Sequence, residues 1–224
     1  KGFAFSLDVM NMSYFSVSAQ YTYSVAEGTG SSTSSSQTAI FRNNDNEAPK
    51  VIAPLDFDQR HTATVNVDFY VPEGQLGLLE RFNVNMLFSI NSGRPYTPLD
   101  YWDIVTGNDG GPSTTGYVNS RYGPGSFRMD LRVEKTFNIG PVLLSPYLWV
   151  QNVFDADNVL AVYRSTGDPY TTGFLNTEKG KARIATGGEA YAQDYKSLER
   201  NPGNFGIPRQ IRLGVKVNFS NITF

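Results

Sequence analysis

Arg128, Asp130, Arg132 and Glu134 place a charge at every second position, and the sign reverses at each step. On a strand, residues two apart share a face, so these four would form one charged row. Such a row can pair with itself, hold a second domain, or contact a polar solute. Arg60, Asp68, Arg212 and Lys216 share that parity on their own segments, as do Tyr147 and Trp149. Aromatic rings on rigid elements can also stack on sugars or peptides. Tyr147 and Trp149 are candidates for that role, with Tyr96, Tyr101 and Trp102 in a loop-like segment.

Catalytic chemistry is poorly served. His61 is the only histidine and there is no cysteine, which excludes a two-histidine metal cluster, thiolate ligands and disulfides. Asp45, Asn46 and Glu47, and separately Asp155 and Asp157, faintly resemble calcium loops. They lack the glycine and distal glutamate of an EF-hand, and turns account for them better. No phosphate-binding loop, dinucleotide fingerprint, nucleophile elbow or zinc motif occurs. The net charge of −2 and a pI near 5.5 leave no basic cluster for nucleic acid. The expectation is a non-enzyme with no cofactor, no metal and no nucleic-acid partner.

The elements that would carry these residues alternate with period two. In Ser13–Ala26 one face holds Phe15, Val17, Ala19, Tyr21, Tyr23 and Val25, and the other Ser16, Ser18, Gln20, Thr22 and Ser24. The same pattern marks 3–9, 60–71, 82–91, 127–137, 142–153 and 209–219, so seven strands are expected, the first of them short. Lys135 interrupts the apolar row of the fifth. A short helix is expected around Glu189–Arg200, stopped by Asn201-Pro202-Gly203. The segment from Gly28, rich in glycine, serine and threonine, reads as solvent-exposed.

Connections alternate between short (Met10–Ser13, Pro72–Arg81, Asn138–Pro141) and long (about 26–59, 92–126 and 154–208). No apolar run reaches the roughly 18 residues of a membrane helix, but transmembrane barrel strands dilute the hydropathy signal, and such barrels have this loop asymmetry. The predicted fold is all-β: an antiparallel transmembrane β-barrel, of which these are about seven C-terminal strands. Strand one then enters from outside, strand seven ends in the periplasm, and the long loops are extracellular. A periplasmic aromatic girdle is expected at Phe15, Phe69, Phe82, Phe137 and Phe219. From Phe127 to Phe137, ten steps of about 3.3 Å tilted near 40° span roughly 25 Å, the height of an apolar barrel band. The charged row, with Arg60, Asp68, Tyr147, Trp149 and Arg212, would then line the lumen. His61 would sit outside, near the upper rim. Residues 1–219 are read as barrel and 220–224 as a short periplasmic tail. No signal peptide is evident, so the chain reads as a mature product or a fragment.

Several segments extend the reading. Lys1-Gly-Phe-Ala-Phe-Ser-Leu-Asp, Phe57-Asp-Gln-Arg-His-Thr, Asn91-Ser-Gly-Arg-Pro-Tyr-Thr-Pro and Tyr147-Leu-Trp-Val-Gln-Asn-Val-Phe-Asp resemble late barrel segments of TonB-dependent receptors. Asn158–Pro169 and Pro208–Phe219 resemble the Oar-like receptors with a carboxypeptidase-regulatory-like N-terminal domain. The resemblance covers nearly the whole chain, in the family's order. It implies a 22-stranded barrel filled by a plug domain, in the outer membrane of a Gram-negative bacterium. The implied function is active uptake of a bulky nutrient. The implied partners are the bilayer, the rest of the barrel and its plug, a TonB-type energy-coupling protein, the barrel-assembly machinery and, as a further candidate, a surface lipoprotein. Phe219 matches the terminal aromatic read by the assembly machinery, although five residues follow it. The alternative is a surface-interaction or structural barrel that transports nothing.

Overall fold

The computed structural model describes residues 1–35, 37, 50–101, 103–105 and 112–219. The alternating segments form seven long strands: β1 (Gly2–Met12), β2 (Phe15–Ser24), β3 (His61–Tyr70), β4 (Phe82–Asn91), β5 (Ser126–Lys135), β6 (Val142–Gln151) and β7 (Gln210–Phe219). Each pairs antiparallel with the next along the chain, giving an up-and-down meander. β1 and β7 are the edges, and the sheet is not closed. The first strand is not short: it has 11 residues, with an irregularity in register between Val9 and Met12.

The fifth strand departs from the expected continuous run. Its ladder to β6 stops after Glu134–Tyr147 and resumes at Phe137–Leu144, in a separate three-residue strand, Phe137–Ile139. Two rungs are missing, Lys135 with Pro146 and Thr136 with Ser145, and Pro146 brings no N–H to a ladder. The Thr136 and Ser145 hydroxyls share a hydrogen bond of 2.8 Å across that gap. Gly140, at φ 62°, then makes the tight reversal into β6.

The strands are joined alternately by short and long connections. We call the two ends of the sheet the turn end and the loop end. At the loop end, α1 (Glu178–Glu199) begins earlier than the sequence suggests and kinks at Gly188. The Thr177 hydroxyl caps it by accepting from the Gly180 N–H. Among the described residues the buried apolar side chains are only Val71, Phe174, Ala192 and Tyr195. Three of these lie in the long segment after β6, so the small apolar core belongs to the loops. No described helix is long and apolar enough to cross a membrane.

Candidate functional site

Alternation gives the sheet one apolar and one polar face. On the apolar face Phe3, Phe5, Phe15, Ile211, Leu213, Val215 and Phe219 remain exposed, Leu213 at 82%. Val65 and Leu131, on inner strands, are half-buried by their in-sheet neighbours alone. Phe15, Phe69, Phe82, Phe137 and Phe219 all fall at the turn end of their strands. Phe15 and Phe69 are cross-strand partners with ring centroids 4.9 Å apart. A second aromatic set lies at the loop end: Phe3 with Tyr21 and Tyr23, His61 with both tyrosines, and Phe127 with Phe154. His61 accepts or donates one hydrogen bond, 2.8 Å from Tyr21 Oη. Lys135, the charge on the apolar face, reaches over the Phe137 ring and donates to the Glu80 carbonyl at the turn end. Its charged tip thus leaves the apolar row.

The polar face is cross-linked by its own side chains. Ser18 donates to Asp8 at 2.7 Å. Asn85 donates to both Asn66 (2.8 Å) and Asp68 (2.7 Å), and Asn66 donates to Asp68 (2.7 Å). Arg128 embraces Asp130 with two nitrogens. Arg132 and Lys216 converge on Glu134 at 2.7 and 3.0 Å. Their cations also lie 4.3 and 6.0 Å from the Tyr147 ring centre. Arg212 stands 5.1 Å from the centre of Trp149 and donates to Gln210. The alternating charges of the fifth strand therefore pair along the strand, i to i+2, and through Lys216 across to β7.

Arg60 does not join this set. It sits at the loop end, with its Nε 2.8 Å from the fully buried Asp58. Asp58 also accepts from the Ala26 N–H (2.7 Å) and the Tyr122 hydroxyl (2.6 Å). Burial alone would raise the Asp58 pKa. The Ala26 N–H, Tyr122 and Arg60 outweigh it and hold the carboxyl below its usual value. Asp58 thus ties the first and second long loops to the start of β3. The Asp-x-Arg spacing was its visible signal, since residues two apart can meet on one side; Tyr122 had none.

A second knot joins strand to loop. Asn152, at φ 52° and fully buried, donates its N–H to Asp130 at 2.9 Å and its amide to the carbonyls of Ala156 and Ile207. Its Oδ1 accepts from the Ala156 N–H. Asp155 accepts from the Arg209 N–H, and Asp157 from the Tyr170 hydroxyl. The Asn-Val-Phe-Asp segment is therefore a turn that fixes the entry to β7. Among the described residues no three acidic, histidine or cysteine side chains form a metal cluster; Asp45, Asn46 and Glu47 lie outside them.

The candidate loop aromatics are engaged in packing. Tyr96 pairs with Arg121 in a short two-stranded ladder, and its ring lies against Gly167. Tyr101 lies against Gly173. Trp102 falls outside the described residues, as does the tail 220–224. An open cavity of about 500 Å³ lies above the polar face at the loop end, floored by Asn91 and Ser126 and bounded by Arg94, Tyr96 and Arg164. Fold and site thus define an antiparallel β-meander with one bare apolar face, one self-paired polar face and interlocked loops at one end. No protein family matches the chain, and no curated protein or solved structure matches it.

Proposed function

We propose that this chain is the C-terminal part of an outer-membrane β-barrel of the TonB-dependent receptor kind, which takes up a bulky nutrient. The bare apolar face carries the reading. Burying a large apolar side chain is worth about 1.5–3 kcal/mol, so the seven side chains of the exposed row represent at most about 10–20 kcal/mol of unburied apolar surface. That is comparable with the roughly 5–15 kcal/mol by which a domain is stable. A lipid bilayer accepts such a face, and aromatic sets at both ends of the strands suit its two interfaces. In lipid every backbone polar group must be bonded, so the open edges of β1 and β7 require further strands, supplied by the same protein or another chain. The 22-strand closure, the plug, TonB coupling, recognition by the assembly machinery and a Gram-negative outer membrane rest on the sequence resemblance. So does the transport reading itself, because fold alone does not give function. No catalytic role is proposed.

A surface-interaction barrel without transport is the second reading, favoured by loops that lock together around a core of their own. Two measurements on cells making the full-length protein test these readings. Ser197→Cys lies on a long loop and Gln75→Cys at a short turn, and the 224 residues have no competing cysteine. A membrane-impermeant maleimide should label the first on intact cells and the second only after the outer membrane is opened. Equal labelling of both contradicts the barrel orientation. Retention of a bulky nutrient that persists without TonB, with no uptake, selects the surface reading.

A further inference from the structure

The geometry points to the loop-end cavity as a binding site for one oxyanion group, a carboxylate or a phosphate, of the bulky solute that the proposed uptake carries. This inference deepens the uptake reading and rests on the polar face being the inside. Three segments converge there. The Gly123 N–H bonds the Arg94 carbonyl at 2.9 Å, and the Leu99 N–H bonds the Arg164 carbonyl at 3.1 Å. Val162 packs where a Cβ on Gly123 would lie, 3.4 Å away. These contacts set Arg94 and Arg164 on the wall of one cavity.

Neither guanidinium makes a hydrogen bond or ion pair with another side chain among the described residues. Every arginine on the polar face does, so these two differ in having donors to spare. Asp56 is the one carboxylate on the wall, and its Oδ1 accepts from Asn119 at 2.7 Å. The cavity therefore carries a net positive charge. Two planar guanidinium forks suit carboxylate and phosphate geometry. The remaining wall mixes Tyr96 and aliphatic side chains with the polar Gln59, Asn91, Ser92 and Ser126, and about 500 Å³ lies within the usual range for a ligand site.

The test is calorimetric titration of the full-length protein in lipid nanodiscs with four probes: tetra-alanine, tetra-alanine amide, glucose 6-phosphate and glucose. At least one anionic probe should bind, at least tenfold more tightly than its amide or unphosphorylated counterpart, and more weakly as salt rises. Preference for tetra-alanine identifies the carboxylate source, and preference for glucose 6-phosphate the phosphate. Arg94→Gln and Arg164→Gln should each weaken that binding at least tenfold. Ala161→Asp, which adds a negative charge to the cavity wall without removing either arginine, should do the same. The inference is overturned if neither anion binds, if charged and uncharged partners bind alike, or if the substitutions leave affinity unchanged. Any of these results alongside correct surface labelling would leave the barrel reading standing.

Discussion

The ring of Tyr147 lies directly over Gly214. The two are cross-strand partners, and a Cβ added to Gly214 would meet the Tyr147 hydroxyl and Cζ at 2.5 Å. The bare glycine lets the ring lie flat between the Arg132 and Lys216 cations, which share Glu134. Gly214→Ala should lift the ring off the strand and destabilise the folded protein by about 1–3 kcal/mol. The unfolding midpoint on heat-modifiability gels of the full-length protein measures this. The ring is what the new methyl meets, so in a Tyr147→Ala background the same substitution should cost at least about 0.5 kcal/mol less. Additive effects would contradict the contact.

Asn152 satisfies four backbone or carboxylate partners at once, in a conformation that few residues other than glycine and asparagine adopt. Asn152→Ala leaves buried groups unpaired and strains the backbone, at a cost of about 3 kcal/mol. Limited proteolysis should then cut within 153–208 far faster than in the native protein. Asn152→Gly relieves the strain but not the lost bonds, and should fall between the two.

Asp58 makes the loop assembly sensitive to acid. Its pKa in the folded protein lies below the unfolded value, so the carboxylate stabilises the fold fully above an unfolded pKa of about 3.9. That contribution disappears as pH falls from there through the folded pKa. Protection of the Ala26 amide, which donates to this carboxylate, from hydrogen exchange should drop below about pH 4. Asp58→Asn should lower protection at neutral pH and flatten the profile. A native profile in that variant would contradict the role of the carboxylate.

The strands were legible because one face of each is uniformly apolar. The expected 82–91 matches β4 to the residue, and 60–71 and 209–219 each miss by a single residue at one or both ends. The expected 127–137 missed the gap at Thr136, because a proline on the partner strand makes it and strand periodicity does not report a neighbour. The start of α1 was hidden because Gly180, Gly187 and Gly188 dilute any helical pattern. Of the site, the i to i+2 pairing of Arg128 with Asp130 and of Arg132 with Glu134 could be read from spacing. Asp58 with Tyr122, and Arg94 beside Arg164, could not, since each joins residues 60 or more positions apart through loops whose path the sequence does not encode locally.

The two faces should respond unequally to an added charge. Leu131→Arg puts a guanidinium in the middle of the apolar row, where a transmembrane barrel loses about 2–4 kcal/mol. Thr64→Arg, on the polar row of β3, should cost well under 1 kcal/mol. Urea midpoints of the full-length protein folded into liposomes give both values. Equal losses would argue against lipid on the apolar side.

The most direct test is a nitroxide scan along β3, from His61 to Tyr70, in the full-length protein reconstituted into bilayers. Collision with dissolved oxygen should peak at 63, 65, 67 and 69 and fall at 62, 64, 66 and 68. A polar nickel reagent should show no peak at the first set. Labels at 63, 65, 67 and 69 that meet the nickel reagent freely, or that meet neither reagent because protein covers them, would contradict a lipid-facing apolar row.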